Sequence, residues 1–362
     1  MWPETSVTRR LGLQHPIIQG PFGGGLSTVR LVAAVSNAGG LGSYGAHLLS
    51  PAEIRTLAAE IRRATPQPFA LNLWVSDHDP GGLTMSPEEF AANLRLFRPC
   101  YEALGIEPPG YPAKITERFE EQIEAVLEAR PAVFSFVFGI PSAAILAECR
   151  RRGIVTLGAA TTVDEAVALE AAGVDWVLAT GCEAGGHRPA FLRPAEESLV
   201  GTLALVPQVV DRVKLPVIAA GGISDRRGVA AALALGAAAV QLGTAFLVCE
   251  ESGAAPLHRE KILSPEARHT VLSRAFTGRL ARFISNDFTT QWDRRTTLPF
   301  PLQSWFTGFI KRAAAEQGNP ALMSLYAGQG APLLRHRKAA ELMQSLIAEG
   351  GDEHNPDTPH SE

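Results

Sequence analysis

Eight short apolar runs, alternating with segments of helical periodicity, constrain this chain more than any other feature. They are Pro16 to Gln19, Leu41 to Ser43, Phe69 to Trp74, Val133 to Phe138, Ile154 to Leu157, Trp176 to Ala179, Pro216 to Ala219 and Ala239 to Leu242. Between them, Val29 to Asn37, Ser142 to Arg151, Leu203 to Val213 and Arg226 to Leu235 carry apolar residues at helical spacing. Ser50, Pro51 and Glu53 mark a further helix start, with a capping hydroxyl, a proline in the first turn and a carboxylate three residues on; Thr162 and Glu165 repeat that box. No hairpin turn chemistry joins the strands, so they pair in parallel, and eight is the number that closes on itself. The expected fold is therefore α/β, a TIM (β/α)8 barrel; a doubly wound open sheet is the competing architecture. The barrel is preferred because the glycine-rich loops all follow strands, and a barrel gathers such loops at one mouth.

Two stretches break the alternation. Residues 76–112 hold a proline- and glycine-rich segment around a helix from Pro87 to Leu104. From about Glu250, helical patterns are expected over Pro265 to Phe276, Pro301 to Glu316, Ala321 to Leu325 and Ala339 to Ile347. The expected organisation is a barrel from 1–75 and 113–249, a helical cover or substrate domain from 76–112 and 250–347, and a disordered tail over 348–362. Val229 to Cys249 carries no charged residue and is long enough to span a bilayer, but it is rich in Ala and Gly and divided by Gly236, so it is read as a helix followed by a strand.

The net charge of −4 argues against a nucleic-acid partner, which requires a basic face. Four cysteines without a C-x-x-C pair suggest neither zinc nor a disulfide framework, and a reducing cytoplasmic setting follows as the default. Met1 to Arg10 has no apolar core for a signal peptide.

The chemistry concentrates in Thr180-Gly181-Cys182-Glu183-Ala184-Gly185-Gly186-His187-Arg188-Pro189, directly after the sixth apolar run. Glycine permits positive φ and close approach of backbone to something flat or anionic, and one imidazole stands at the edge of that opening. Two further strand-then-glycine junctions follow, Ala220-Gly221-Gly222-Ile223 and Gln241-Leu242-Gly243-Thr244. Paired at consecutive strands, with the Thr244 hydroxyl as a donor, they suit a phosphate. The first-strand loop, Gln19-Gly20-Pro21-Phe22, offers backbone to a planar ring, and Asn72 offers an amide to ring edges. A phosphorylated planar cofactor, FMN being the commonest, fits these residues; a phosphosugar substrate remains open. Glu183 and Arg188 are expected to be solvated, Cys182 to pack, and His15 and His47 to be structural or exposed. Phe300 and Trp305, with Phe306 and Tyr326, are candidates to line an apolar substrate pocket from the cover.

The chain resembles the nitronate monooxygenase family. The resemblance is carried by Pro16-Ile17-Ile18-Gln19, by Asn37-Ala38-Gly39-Gly40-Leu41-Gly42, by Phe69 to Leu73, by Gly181 to His187, by the two glycine junctions above and by Ala327-Gly328-Gln329-Gly330. It implies non-covalent FMN, with Gln19, Gly20, Pro21, Phe22, Asn72, Thr180, Gly185, Gly186, Gly221, Gly222, Gln241, Gly243 and Thr244 as the residues expected to hold it and His187 as catalytic base; Phe22 and His187, with Phe300 and Trp305 of the cover, are expected toward the substrate. Phe22 stands where the family usually has Met, Thr180 where it often has Gln and Pro189 where it has Gly. The implied activity is oxidation of alkyl nitronates, or of nitroalkanes after loss of an α-proton, by dioxygen to a carbonyl compound and nitrite. The partners implied are a small-molecule nitronate and dioxygen, with no nucleic acid and no membrane, and a second copy of the chain in a homodimer. The alternatives are an FMN-dependent NAD(P)H reductase of an unsaturated thioester and a flavin-free barrel binding a phosphorylated metabolite.

Overall fold

The computed structural model describes residues 2–75, 79, 84–293 and 295–348. The eight apolar runs become β1 (Ile17–Gln19), β2 (Gly42–Gly45), β3 (Phe69–Trp74), β4 (Val133–Val137), β5 (Val155–Ala160) and β6 (Trp176–Thr180), then, beyond a two-residue strand β7 (Gly186–His187), β8 (Val217–Ala220) and β9 (Ala239–Leu242). All barrel pairings are parallel, in the order β1-β9-β8-β6-β5-β4-β3-β2, and a parallel bridge from Ile18 to Leu41 closes β1 against the start of β2. The open-sheet alternative is thereby excluded. Val229 to Cys249 divides into a helix, β9 and a short turn of helix, and among the described residues no helix is long and apolar enough to cross a membrane.

The period-two pattern of each strand sorts its side chains into two layers. Ile18, Leu41, Ala70, Val133, Leu157, Trp176 and Ile218 fill the barrel interior, while Ile17, Leu71, Phe134, Val177 and Val217 face outward against the helices. Val7, on an N-terminal helix (Ser6–Leu11) that the sequence pattern does not announce, joins the interior cluster. Ser50 and Glu53 form their capping box as expected. The Thr162 box is only half made. Thr162 caps the backbone of Glu165, but the fully buried Glu165 carboxylate accepts from the Thr161 backbone N–H (2.6 Å) and hydroxyl (2.7 Å) and from the N–H groups of Phe191 and Leu192. A carboxylate with no access to water needs that many donors.

The cover departs from an all-helical expectation. Pro265 to Phe276 is not a helix: a single 3-10 turn (Pro265–Arg268) leads into β10 (Thr270–Ser273), antiparallel to β11 (Ala281–Ile284), which pairs in turn with β7. Cross-strand pairing of Thr270 and Val271 with Ile284 and Phe283 overrides the helical spacing of their apolar residues. Ala321 to Leu325 is a turn rather than a helix, because Asn286 Nδ2 ties down the carbonyls of Pro320 and Met323 and Tyr326 bridges to Phe283. The helices Pro87–Ala103, Leu302–Glu316 and Ala339–Ile347 lie where their patterns place them. The tail expected to be disordered lies, apart from Ala348, outside the described residues.

Candidate active site

The loops that follow β1, β6, β8 and β9 surround one cavity of about 580 Å3. Its wall brings together Gly20, Pro21, Phe22, Asn72, Thr180, Gly185, Gly186, His187, Gly221, Gly222, Gln241, Gly243 and Thr244. Three expected residues are elsewhere. Gln19 is fully buried behind the wall: its Oε1 accepts the Ser43 N–H at 2.8 Å and its amide donates to the Gly20 carbonyl, so it locks β1 to β2. Phe300 and Trp305 line a smaller adjoining chamber instead, although the Phe300 ring lies 5.2 Å from that of Trp74 in the main wall.

The glycines of the β8 loop are there for backbone shape. Gly221 (φ 114°) and Gly222 (φ 69°) both take conformations that side chains resist, and a Cβ on Gly221 would lie 2.6 Å from the Thr202 hydroxyl. The backbone N–H groups of Gly222, Gly243 and Thr244 find no partner among the described residues, which leaves donors free on two neighbouring loops. Thr244 Oγ1 accepts the Gly328 N–H at 2.9 Å, so its own proton is free to be donated. The Ala327-Gly328-Gln329-Gly330 segment thus seals the site from the C-terminal side. Gln329 N–H reaches the Glu183 carbonyl at 2.9 Å, and a Cβ on Gly330 would meet the Gly222 carbonyl at 2.6 Å.

Glu183 and Arg188, expected to be solvated, instead frame the histidine loop. The Glu183 carboxylate accepts the Thr202 N–H and hydroxyl at 2.9 Å, supplying the side-chain cap that Gly201 cannot give to the helix Thr202–Arg212. Arg188 is 1% exposed and donates to the carbonyls of Gly181 (2.5 Å), Thr180 (3.0 Å) and Ser198 (3.2 Å), holding the loop from inside. Burial lowers its pKa to about 10.

His187 projects from β7, which β11 fixes by pairing Ala281 with His187. Its Nε2 lies 2.9 Å from Thr277 Oγ1. The same hydroxyl accepts the Arg279 N–H (3.3 Å) and donates to the Arg279 carbonyl (3.2 Å). With the hydroxyl proton on that carbonyl, all three bonds are made when His187 carries its proton on Nε2; the opposite tautomer makes only two. Nδ1 is then the free lone pair. Burial, with the positive charges of Arg279 and Lys311 nearby, holds the imidazole pKa well below its usual value, so the ring is neutral at neutral pH.

Several cavity residues lay outside sequence reasoning. His47, expected to be structural or exposed, lines the cavity, stacks on Trp74 at 3.9 Å between centroids, and has an unpartnered Nδ1; burial drops its pKa to about 3. Trp74 also meets His187 edge-on at 4.8 Å. Tyr326, by contrast, is one of the aromatic residues expected to line a pocket; it lies in the cavity wall, 5.8 Å from the His187 ring. Ser135 accepts the Asn72 amide at 3.0 Å. Lys311, on the cavity face of Leu302–Glu316, has burial lower its pKa to about 8. Arg279 stacks 3.6 Å over Phe138 and pairs with Asp79. The charged part of the wall is thus cationic, formed by Lys311 and Arg312. Among the described residues no cluster of His, Cys, Asp or Glu suits a metal ion, and all four cysteines are free thiols.

Comparison with known proteins extends this geometry. A family model described as nitronate monooxygenase matches residues 4–349. A probable nitronate monooxygenase of Staphylococcus haemolyticus (strain JCSC1435) is 38% identical over 351 residues, spanning 96% of this chain and 97% of that one. One from Staphylococcus aureus (strain Newman) is 38% identical over 352 residues, with the same shares covered. Among solved structures, nitroalkane oxidase from Streptomyces ansochromogenes superposes with a TM-score of 0.84 at 35% identity, covering 94% of this chain and 96% of that one. FabK from Thermotoga maritima superposes with a TM-score of 0.73 at 29% identity, covering 96% of each.

Proposed function

This chain belongs to the nitronate monooxygenase family, and from that premise we propose that it is an FMN-dependent enzyme that oxidises alkyl nitronates with dioxygen, and nitroalkanes after removing their α-proton. Membership makes it a flavin oxidoreductase; the cofactor, the substrate and the residue roles are our reading. The observation that carries it is His187, in the wall of the cavity that also takes in Gly222, Gly243 and Thr244, with Nε2 engaged and Nδ1 free.

The residues present suit FMN. The unpartnered N–H groups of Gly222, Gly243 and Thr244 and the Thr244 hydroxyl would hold its phosphate. Gly20, Pro21, Phe22, Asn72, Thr180, Gly185, Gly186, Gly221 and Gln241 would face the rest of it. Bound there, FMN supplies the electron-transfer and dioxygen chemistry.

The protein's own part is acid–base and electrostatic. The free Nδ1 of a neutral imidazole accepts the α-proton of a nitroalkane, whose acidity rises because the nitro group takes up the charge. The product of that step is an anion, and Lys311 provides a positive charge to hold it. A substrate arriving as nitronate needs no base, and His187 then only orients it. The aromatic wall of Trp74, Phe138 and Tyr326 excludes water around the reacting carbon. Replacing His187 with Asn tests the assignment. Turnover of neutral nitroalkanes should fall by about 100-fold or more while nitronates are still oxidised; equal activity of variant and parent on both would refute it.

A further inference from the structure

The second chamber, of about 260 Å3, adjoins the main cavity and shares Ser304, Gly308, Lys311 and Arg312 with it. Apart from those residues its wall is mostly apolar: Leu48, Ile115, Phe300, Pro301, Trp305 and Phe309. Leu48 borders both spaces and is 48% exposed. The shared wall is built for passage. Ser304 and Gly308 lie one turn apart on the helix Leu302–Glu316, and a Cβ on Gly308 would meet nothing within 4 Å. A glycine inside a helix is destabilising relative to alanine. No packing contact requires it here; what its missing side chain provides is space between the chambers. Lys311 stands on the same boundary with no hydrogen-bonding or ionic partner among the described residues.

We infer that the outer chamber is the subsite for the apolar arm of the substrate, an unbranched alkyl nitronate whose anionic head lies in the main cavity on the Lys311 side and whose chain passes Ser304 and Gly308. This rests on the nitronate-oxidising reading of the main cavity. An apolar chamber entered past a cation suits an amphipathic anion, and an uncharged or doubly charged short substrate leaves it unfilled.

The test is a chain-length series of primary alkyl nitronates from ethyl to octyl with the FMN-loaded protein. Each methylene buried raises kcat/KM about fourfold, until the chamber is full. Calorimetric binding of unreactive alkanoates, butanoate to octanoate, gives the same rise without turnover. Ile115→Trp, which fills the outer chamber alone, cuts the octyl-to-ethyl ratio at least tenfold, and Phe309→Ala shifts the optimum to longer chains. A flat series in both measurements overturns the subsite. Failure to oxidise any nitronate, with alkanoate binding still rising along the series, would instead sink the functional reading and leave the subsite standing.

Discussion

Thr277 Oγ1 lies 2.9 Å from His187 Nε2, and its other two hydrogen bonds both go to the backbone of Arg279. A hydroxyl fixed in this way by its own loop sets the imidazole tautomer, and it does so from β11's side of the small sheet that carries His187.

Removing that hydroxyl should therefore impair proton abstraction more than binding. Thr277→Val is expected to lower kcat/KM on neutral nitroalkanes about tenfold, the equivalent of one lost hydrogen bond, with a smaller effect on nitronates. Thr277→Ser should restore the loss. Nitrogen NMR of the histidines would show the Nε2 proton in the parent and a mixed tautomer in the valine variant.

Lys311 gives a pH signature of the opposite kind. Its pKa is lowered by burial to about 8, so its charge is present below that pH and lost above it. The KM for a nitronate, which stays anionic, should rise as pH passes 8. In Lys311→Met it should be about tenfold higher at neutral pH and flat across the same range. A parent profile as flat as the variant's would remove Lys311 from anion binding.

Cofactor affinity should depend on the shape of the β8 loop. Gly222→Ala places a side chain at φ 69° and 3.3 Å from Glu183 Cβ, straining the turn that presents the free N–H groups. Equilibrium dialysis should show FMN held about tenfold more weakly, with the barrel's circular dichroism unchanged.

The buried imidazoles predict acid sensitivity. Burial lowers the pKa of His258, which is 3% exposed, to about 4, while Nε2 donates to the Tyr326 carbonyl at 2.9 Å. The unfolded chain binds its proton from 6.5 downward and the folded chain does not, so stability is present above about 6.5 and lost as pH falls toward 4. That slope is about 1.4 kcal/mol per pH unit for one such group. Chemical denaturation of His258→Gln should show a shallower decline between pH 6.5 and 4 than the parent.

The barrel was legible because its strands and helices are specified locally: apolar runs of three to six residues, capping boxes such as Ser50 and Glu53, and glycines after strands. The histidine loop and the β8 and β9 junctions were legible for the same reason. What escaped depends on contacts distant in sequence. Nothing local to Thr270 and Val271 says that they pair with Ile284 and Phe283. Nothing local to Lys311 says that it faces a cavity, and His47, expected to be structural or exposed, is placed in the cavity wall by its stacking on Trp74. Gln19 shows the converse, since a polar residue at a strand end resembles a ligand contact but Ser43, in the neighbouring strand, takes its acceptor.

On the proposed mechanism a nitronate delivers its electrons to a flavin seated between His187 and the glycine loops. Anaerobic mixing of the FMN-loaded protein with ethyl nitronate, followed by flavin absorbance, reads that transfer itself. The oxidised flavin band should bleach with the nitronate, and NADH or NADPH should not bleach it rapidly. A band left intact by the nitronate but rapidly bleached by NADH or NADPH would contradict it and favour a reductase.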